Sequence, residues 1–302
     1  MEFRLVLEKL KNSNELFNCS FTKQIIKNVR YVTKAELLDI LEMLEGTVDM
    51  KFQIKLISIL SVCLLFNKSS RDVIIECASL YDTLYTILSR GLPMKSAVAL
   101  NFITSLVYEG GAECAGGAGG CGRERTLRLR ARAALRGSGC LAAMTHLFTN
   151  YMLYTNTWKA LCRCIAEVCS GSEVNQTFCS HLIPLCVQRC LQGNLEVFPV
   201  LQSILSNHKR NIKLFLDTDG IVIFDRKEYY RYESCLQLLN TVVQVIEVEE
   251  IIIIRKQNKI HENLQDLLQL HSADSRVGDT IKYVILKMKL KSFLRKHIVS
   301  IR

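Results

Sequence analysis

The fold is decided by residues 158–205, which read WKALCRCIAEVCSGSEVNQTFCSHLIPLCVQRCLQGNLEVFPVLQSIL. An apolar helical run from Trp158 to Cys169 ends at the polar break Ser170-Gly171-Ser172. A short amphipathic run follows, and Pro184 stands where the next apolar segment begins, which is a favoured position for proline in a helix. The stretch therefore predicts a long helix, a polar break, a short helix and two further helices.

The same order recurs along the chain at a regular interval. Phe52 and Ser96 occupy corresponding points 44 residues apart, and Leu161 and Val200 lie 39 residues apart. A period near 40 is typical of armadillo and HEAT repeats, in which stacked neighbours bury the apolar faces that one unit leaves open. We therefore predict an all-α, armadillo/HEAT-like α-solenoid, a right-handed superhelix of helical repeats that forms one domain over residues 1–302.

Further helices are predicted from apolar residues at three- and four-residue spacing. Residues 1–45 are interpreted as an incomplete opening unit. The run Ile251–Ile254 fits either a helix start or a buried strand, and a repeat stack favours the helix. The other predicted helices cover residues 50–66, 94–108, 195–205, 229–248, 264–270 and 280–293.

One stretch departs from the repeat. Residues 110–139 hold nine of the fifteen glycines, and the run 116–120 has four of them. Each glycine costs a helix about 1 kcal/mol, so residues 110–126 are predicted to be a flexible, low-complexity Gly/Arg-rich insert. The Arg-rich residues 127–135 can be helical.

The positive charge is concentrated in two segments. The net charge is +10, of which residues 123–136 contribute +5 and residues 282–302 contribute +7, so the rest of the chain is near −2. These side chains are either solvated helix faces or contacts to phosphates or an acidic partner, including non-specific nucleic acid. The candidate contacts are Arg123, Arg125, Arg128, Arg130, Arg132, Arg136, Lys282, Lys287, Lys289, Lys291, Arg295 and Lys296.

No motif of enzyme chemistry is present. The glycine run lacks the G-x-x-x-x-G-K-[ST] pattern of a nucleotide site, and neither G-x-S-x-G nor H-E-x-x-H occurs. The sequence predicts no enzyme activity and no cofactor.

The 13 cysteines fit a reducing compartment, the cytosol or the nucleus. Cys162 and Cys169 are seven residues apart, and Cys186 and Cys190 are four apart, which places each pair on one helix face. No C-x-x-C pair occurs. Core packing is favoured over a zinc site or redox sensing.

Neither a signal peptide nor a membrane span is predicted. The apolar run Leu56–Phe66 is interrupted by Ser58 and Ser61 and is too short to cross a bilayer. The sequence therefore predicts a soluble chain.

The runs 139–148 and 157–164 and the segment NQTFCSHLIP at 175–184 resemble the armadillo-repeat region of the telomere repeats-binding bouquet formation protein family. The most specific part is the stretch from Trp158 to Pro184. The resemblance implies a meiotic nuclear protein that couples telomeres to the inner nuclear envelope, through shelterin and membrane-linked partners, so that homologous chromosomes pair. The Gly/Arg stretch departs from the family pattern.

The family's Myb-type DNA-binding domain is expected to be absent from this chain. Such a domain needs several regularly spaced tryptophans, and Trp158 is the only one here. The resemblance then leaves a scaffold role, with groove residues that the sequence does not identify. Two other functions stay open, a generic armadillo-like adaptor in transport or cytoskeletal regulation, which would be cytoplasmic, and a basic nucleic-acid-binding protein.

Overall fold

A computed structural model describes residues 32–66, 70–108, 118–149, 155–245, 260–270, 278–279 and 281–289. All regular secondary structure in these ranges is helical, which confirms the all-α prediction. The chain divides into two compact units, Met1–Val168 and Cys169–Arg302.

The first unit begins with α1, whose start is fixed by a capping box. Thr33 accepts a hydrogen bond from the backbone N–H of Glu36, and the Glu36 carboxylate accepts one from the N–H of Thr33. Its helices are α1 (Lys34–Glu45), α2 (Met50–Phe66), α3 (Ser70–Glu76), α4 (Ala78–Ser89), α5 (Pro93–Val107), α6 (Ala118–Gly137), α7 (Cys140–Thr149) and α8 (Thr155–Cys169).

The second unit continues the pattern with shorter helices. Its α-helices are α9 (Glu173–Phe178), α10 (Ile183–Leu191), α11 (Phe198–Leu205), α12 (Lys209–Asp217), α13 (Glu233–Val245) and α14 (Ile260–Leu270). Its 3-10 turns cover Cys179–Leu182, Leu195–Val197, Gly220–Asp225 and Lys227–Arg231. Residues 281–289 are also helical.

The repeat consists of a first, a second and a third helix. The triplets are α3-α4-α5 and α6-α7-α8, followed in the second unit by α9-α10-α11. In the first unit, helices of one kind pack on each other: α3 contacts α6, α4 contacts α7, and the third helices α2 and α5 have the largest contact. In the second unit, α11 packs on α13 in the same way. This like-on-like packing buries the apolar faces continuously, as the repeat period predicted.

Turns between helices use glycine where the backbone requires a positive φ. Gly139 has φ +82° and connects α6 to α7. A Cβ atom there would also lie 3.3 Å from the ring of Tyr85 on α4. Both constraints favour glycine and allow α7 to approach α4 closely.

Two sequence predictions are corrected. Helix α6 begins at Ala118, so residues 118–126 of the predicted flexible insert are helical; residues 109–117 lie outside the described residues. The helix is held in place by Leu127, Ala131 and Leu135, which are buried and follow one another at four-residue spacing. Because adding residues to a formed helix costs less free energy than starting one, α6 extends back through residues 118–126.

The second correction concerns the helix predicted over 229–248. Tyr229 and Tyr230 belong to a 3-10 turn, and α13 begins only at Glu233. The hydroxyl of Tyr230 donates to the carbonyl of Phe224 at 2.6 Å, and that of Tyr229 donates to the carbonyl of Cys190 at 2.8 Å, so both rings are buried in the turn. The run Ile251–Ile254 lies outside the described residues.

Candidate protein-binding surface

The predicted basic side chains on α6 do not share one environment. Arg125 and Arg130 are exposed, whereas Arg128 and Arg136 are half-buried. Arg123 lies within α6, but its side chain is outside the described part of the structure. Among the α6 side chains that the structure describes, the predicted cations therefore differ in how far they are accessible to a partner.

Arg130 lies next to acidic side chains. A cleft of about 300 Å³ between α3 and α6 is lined by Asp72, Glu76, Thr126, Leu127 and Arg130. The two carboxylates lower the local positive potential that a phosphate would meet. We therefore expect this part of the basic segment to attract nucleic acid less strongly than its composition suggests.

Arg132 is buried, so the prediction that it contacts phosphates or an acidic partner is wrong for this residue. Its side chain is 1% exposed. Its Nε donates to the backbone carbonyl of Glu167 at 3.1 Å, and a terminal guanidinium nitrogen donates to that of Val107 at 3.3 Å. These carbonyls lie in the last turns of α8 and α5, where the helix itself supplies no N–H donor to its final carbonyl groups. Arg132 therefore connects three helices inside the first unit.

Polar side chains of the other first helices act in the same way. Arg71 on α3 donates to the carbonyl of Ser105, in the last turn of α5, at 3.4 Å. Gln176 on α9 donates to the carbonyls of Ser203 and Ser206, at 2.7 and 3.0 Å, where α11 ends. Because buried polar groups need partners, this interaction fixes each first helix on a neighbouring third helix.

Asn211 on α12 makes the same kind of contact from a side chain to backbone carbonyls. Its side-chain amide donates to the carbonyls of Gln176 and Ile204, both at 3.0 Å. These residues were not among those predicted from the sequence. The signal available in the sequence was a polar residue next to a buried apolar position, such as Arg132 after Ala131 and Asn211 before Ile212.

The C-terminal cations are described only in part. Lys289 is exposed, and Lys287 places its Nζ 4.5 Å from the ring centroid of Tyr283. Lys282 contacts Asp279, with 3.6 Å between Nζ and Oδ1. Lys291, Arg295 and Lys296 lie outside the described residues.

The third helices of the first unit expose a second group of residues, here called the third-helix surface. Exposed or half-buried side chains recur every seven residues along each helix, which keeps them on one face. They are Lys51, Ser58 and Leu65 on α2, Met94, Asn101 and Tyr108 on α5 and its C-cap, and Asn156 and Arg163 on α8.

Adjacent helices are connected across this surface. The guanidinium of Arg163 lies 5.7 Å from the ring centroid of Tyr108, a cation–π contact between α8 and the end of α5. At the opposite end of the same helices, the hydroxyl of Thr157 donates to the carbonyl of Pro93 at 3.0 Å. The two helices therefore run side by side and present their exposed faces together.

The third-helix surface has the composition of a protein interface. Met94 and Leu65 are 80% and 70% exposed, which is costly for side chains of this size in water. Tyr108 and Arg163 belong to the residue types that contribute most of the binding energy at protein interfaces.

The residues behind the family resemblance pack into the interior. Trp158 is half-buried, with its ring centroid 4.9 Å from that of Phe148 on α7. Cys164 is fully buried, and its Sγ lies 3.4 Å from the sulfur of Met144. These residues stabilise the first unit and do not identify a partner.

Nine cysteines within the described residues are buried, and Cys77 is half-buried; all ten are free thiols. Burial raises the pKa of Cys63, Cys164 and Cys235 to about 12 and that of Cys140 to about 11. The prediction that they act as core residues is confirmed for this part of the chain.

Within the described residues there is neither a metal-binding cluster nor a membrane-spanning helix. No three of their His, Cys, Asp or Glu side chains cluster closely enough to hold a metal ion. None of their helices combines the length and the apolarity needed to cross a bilayer.

Comparison with solved structures supports the repeat architecture. An engineered protein from a structural genomics consortium aligns with a TM-score of 0.63 and 16% identity, over 84% of this chain and 97% of its own. The designed armadillo repeat protein YIII(Dq)4CqI aligns with a TM-score of 0.63 and 11% identity, over 84% and 100%. Uso1-1 aligns with a TM-score of 0.65 and 10% identity, over 94% of this chain and 51% of its own.

These similarities concern the fold, and they confirm the all-α, armadillo-like solenoid. No family model matches the chain. No curated protein matches it either.

Proposed function

We propose that this chain is a non-enzymatic protein-interaction scaffold that binds its partner on the third-helix surface. The armadillo-like repeat fold supports binding to other proteins. The observation that carries the proposal is the exposed Tyr108–Arg163 pair, which connects α8 to the C-terminal end of α5, on the same face of α5 as the exposed apolar side chain of Met94 at its start. Such a group gains binding energy when a partner removes it from water.

Affinity capture with matched variants tests this proposal. The double variant Tyr108→Ala/Arg163→Ala removes the pair, and the control Tyr85→Ala/Arg90→Ala removes the same residue types from α4 and its C-cap. Tyr85 and Tyr108 are 43% and 42% exposed, so the two variants change similar surface. The partners of the wild-type chain should be lost with the first variant and kept with the control. Equal capture by all three would contradict the proposal.

For the biological process, we infer a role in meiotic telomere attachment to the nuclear envelope and in homologous chromosome pairing. This inference is supported by the resemblance of the stretch from Trp158 to Pro184 to the telomere repeats-binding bouquet formation proteins. The partners would be components of shelterin and of the inner nuclear membrane attachment complex, and the chain would be nuclear, at chromosome ends.

Proximity labelling in meiotic germ cells tests the inferred process. Labelled telomeric and inner-nuclear-membrane proteins are the expected result. Labelling of cytoplasmic transport or cytoskeletal proteins instead, or the absence of the transcript from germ cells, would favour a generic adaptor. A nucleic-acid-binding function would appear as micromolar DNA affinity that falls steeply as salt is raised.

A further inference from the structure

The second unit contains a polar cleft, and none of the described residues that line it belongs to the third-helix surface. Its volume is about 330 Å³, within the range of about 300–1,000 Å³ that ligand sites occupy. It lies between α12 and the start of the 3-10 turn after α9. The cleft is lined by Thr177, Ser180, Arg210, Asn211, Lys213, Leu214 and Asp217.

Two cations of this cleft have no partner in the described part of the chain. Arg210 and Lys213 are exposed and three residues apart on α12, so both side chains project from one side of the helix. Neither makes an ion pair or a hydrogen bond within the described residues, although Asp217 is four residues after Lys213. Their charge is therefore available to an anion in the cleft.

The hydroxyl of Thr177 is oriented by a buried histidine. His208 caps α12, and its Nδ1 accepts the backbone N–H of Asn211 at 3.2 Å. An accepting Nδ1 carries no proton, so the proton of the neutral ring lies on Nε2, which donates to the Thr177 hydroxyl oxygen at 2.9 Å. The proton of Thr177 is consequently free to point into the cleft.

Ser180 supplies a further hydroxyl. It is half-buried, and its side chain has no hydrogen-bond partner within the described residues. The cleft thus combines a guanidinium, an ammonium and two hydroxyl donors. This donor set matches an anion with several oxygens, because hydrogen bonds from a guanidinium or an ammonium group to phosphate are about twice as strong as neutral ones.

We propose that this cleft binds a phosphate monoester carried by a partner protein, such as a phosphoserine side chain. The proposal rests on the scaffold function, since it assigns one chemical feature to a protein partner. A nucleic acid fits less well, because its affinity depends on a run of phosphate contacts, and here Asp217 adds a negative charge beside only two cations.

The test is an NMR titration of the full ¹⁵N-labelled chain with N-acetyl-phosphoserine amide, with N-acetyl-serine amide as the control ligand. Binding of the phosphorylated compound alone, with shifts of the amides of Thr177, Ser180 and Lys213, is the expected result. Absence of those shifts overturns the proposal and leaves the scaffold function untouched, because the two tests use different surfaces and different ligands.

Two charge-matched variants distinguish binding in this cleft from non-specific attraction between the ligand and the positively charged chain. Arg210→Gln/Lys213→Gln should weaken binding by about tenfold or more, which is about 1.4 kcal/mol or more. The matched control Arg90→Gln/Lys209→Gln removes the same charges from exposed positions outside the cleft, and it should change affinity less than about twofold. An equal loss in both variants would overturn the proposal.

A gain of affinity provides the second criterion. Asp217→Asn removes the one carboxylate among the described residues that line the cleft, and it should tighten binding several-fold, an effect that damage to the fold does not produce. Unchanged or weaker binding by this variant counts against the site. If a single-stranded DNA oligonucleotide binds through Arg210 and Lys213 more tightly than phosphoserine does, the choice of a protein partner is wrong.

Discussion

The Nε of Arg132 donates a hydrogen bond to the backbone carbonyl of Glu167 over 3.1 Å, across 35 residues of sequence. This contact attaches α6 to the last turn of α8. The same guanidinium reaches the end of α5 through Val107. A side chain that the sequence assigned to the surface thus supplies donors to the C-terminal carbonyls of two third helices.

Replacing Arg132 should therefore destabilise the protein. Arg132→Met fills a similar volume but leaves the carbonyls of Val107 and Glu167 without these donors in a buried region. We expect the free energy of unfolding to fall by about 2–4 kcal/mol. Urea denaturation followed by circular dichroism measures this change. The control Arg125→Met changes an exposed residue of the same helix and should stay within about 0.5 kcal/mol of wild type.

A second prediction tests the helical part of the predicted insert. Gly122 lies inside α6, and an added Cβ atom would meet nothing within 4 Å. Gly122→Ala should raise the free energy of unfolding by about 0.5–1 kcal/mol, because alanine favours the helix. A change near zero would mean that this segment is not helical in solution.

Gly220 should respond in the opposite way. A Cβ atom at this position would lie 2.3 Å from the ring of Phe215, which is fully buried. Gly220→Ala should lower the free energy of unfolding by about 1–3 kcal/mol, since the ring has to move within a packed core. Thermal unfolding compares it with Gly137→Ala, which places its methyl group in open space and should show no such loss.

Alkaline pH should destabilise the fold through its buried thiols. Burial raises the pKa of Cys63 from 9.0 to about 12, and that of Cys164 from 9.0 to about 12. Between pH 9 and pH 12, these two thiols lose their protons in the unfolded chain and keep them in the folded chain. Each such thiol then lowers stability by about 1.4 kcal/mol per pH unit, and its contribution is fully present only below pH 9.

Denaturation midpoints between pH 8 and 11 measure this loss. Cys63→Ala should make the decline less steep above pH 9. A pH-independent stability, or an identical slope in the variant, would show that Cys63 titrates as an exposed thiol does.

The sequence predicted those features that depend on local spacing. The apolar stripe of α2, with Phe52, Leu56 and Ile59, defines that helix because helical period and burial coincide there. The repeat interval followed from the same pattern. The role of Arg132 was not predictable in this way, since an Arg-rich segment reads as solvated until the carbonyls around it are known.

The exposure of the third-helix surface was likewise not predictable from the sequence alone. Met94, Asn101 and Tyr108 recur every seven residues, which the sequence displays. Their exposure depends on which side of α5 is covered by α2 and α8, and that information is tertiary. The cleft residues Thr177 and Lys213 come from different helices, so only the fold brings them together.

The proposed scaffold function requires that a partner protein cover the third-helix surface. Hydroxyl-radical footprinting of the chain, alone and with its captured partner, tests it directly, because the method reports the solvent exposure of individual side chains. We predict that the partner strongly protects Met94 and Tyr108 and leaves Tyr85 unchanged. Full reactivity of Met94 and Tyr108 in the complex, with protection confined to Tyr85 and its surroundings, would contradict it.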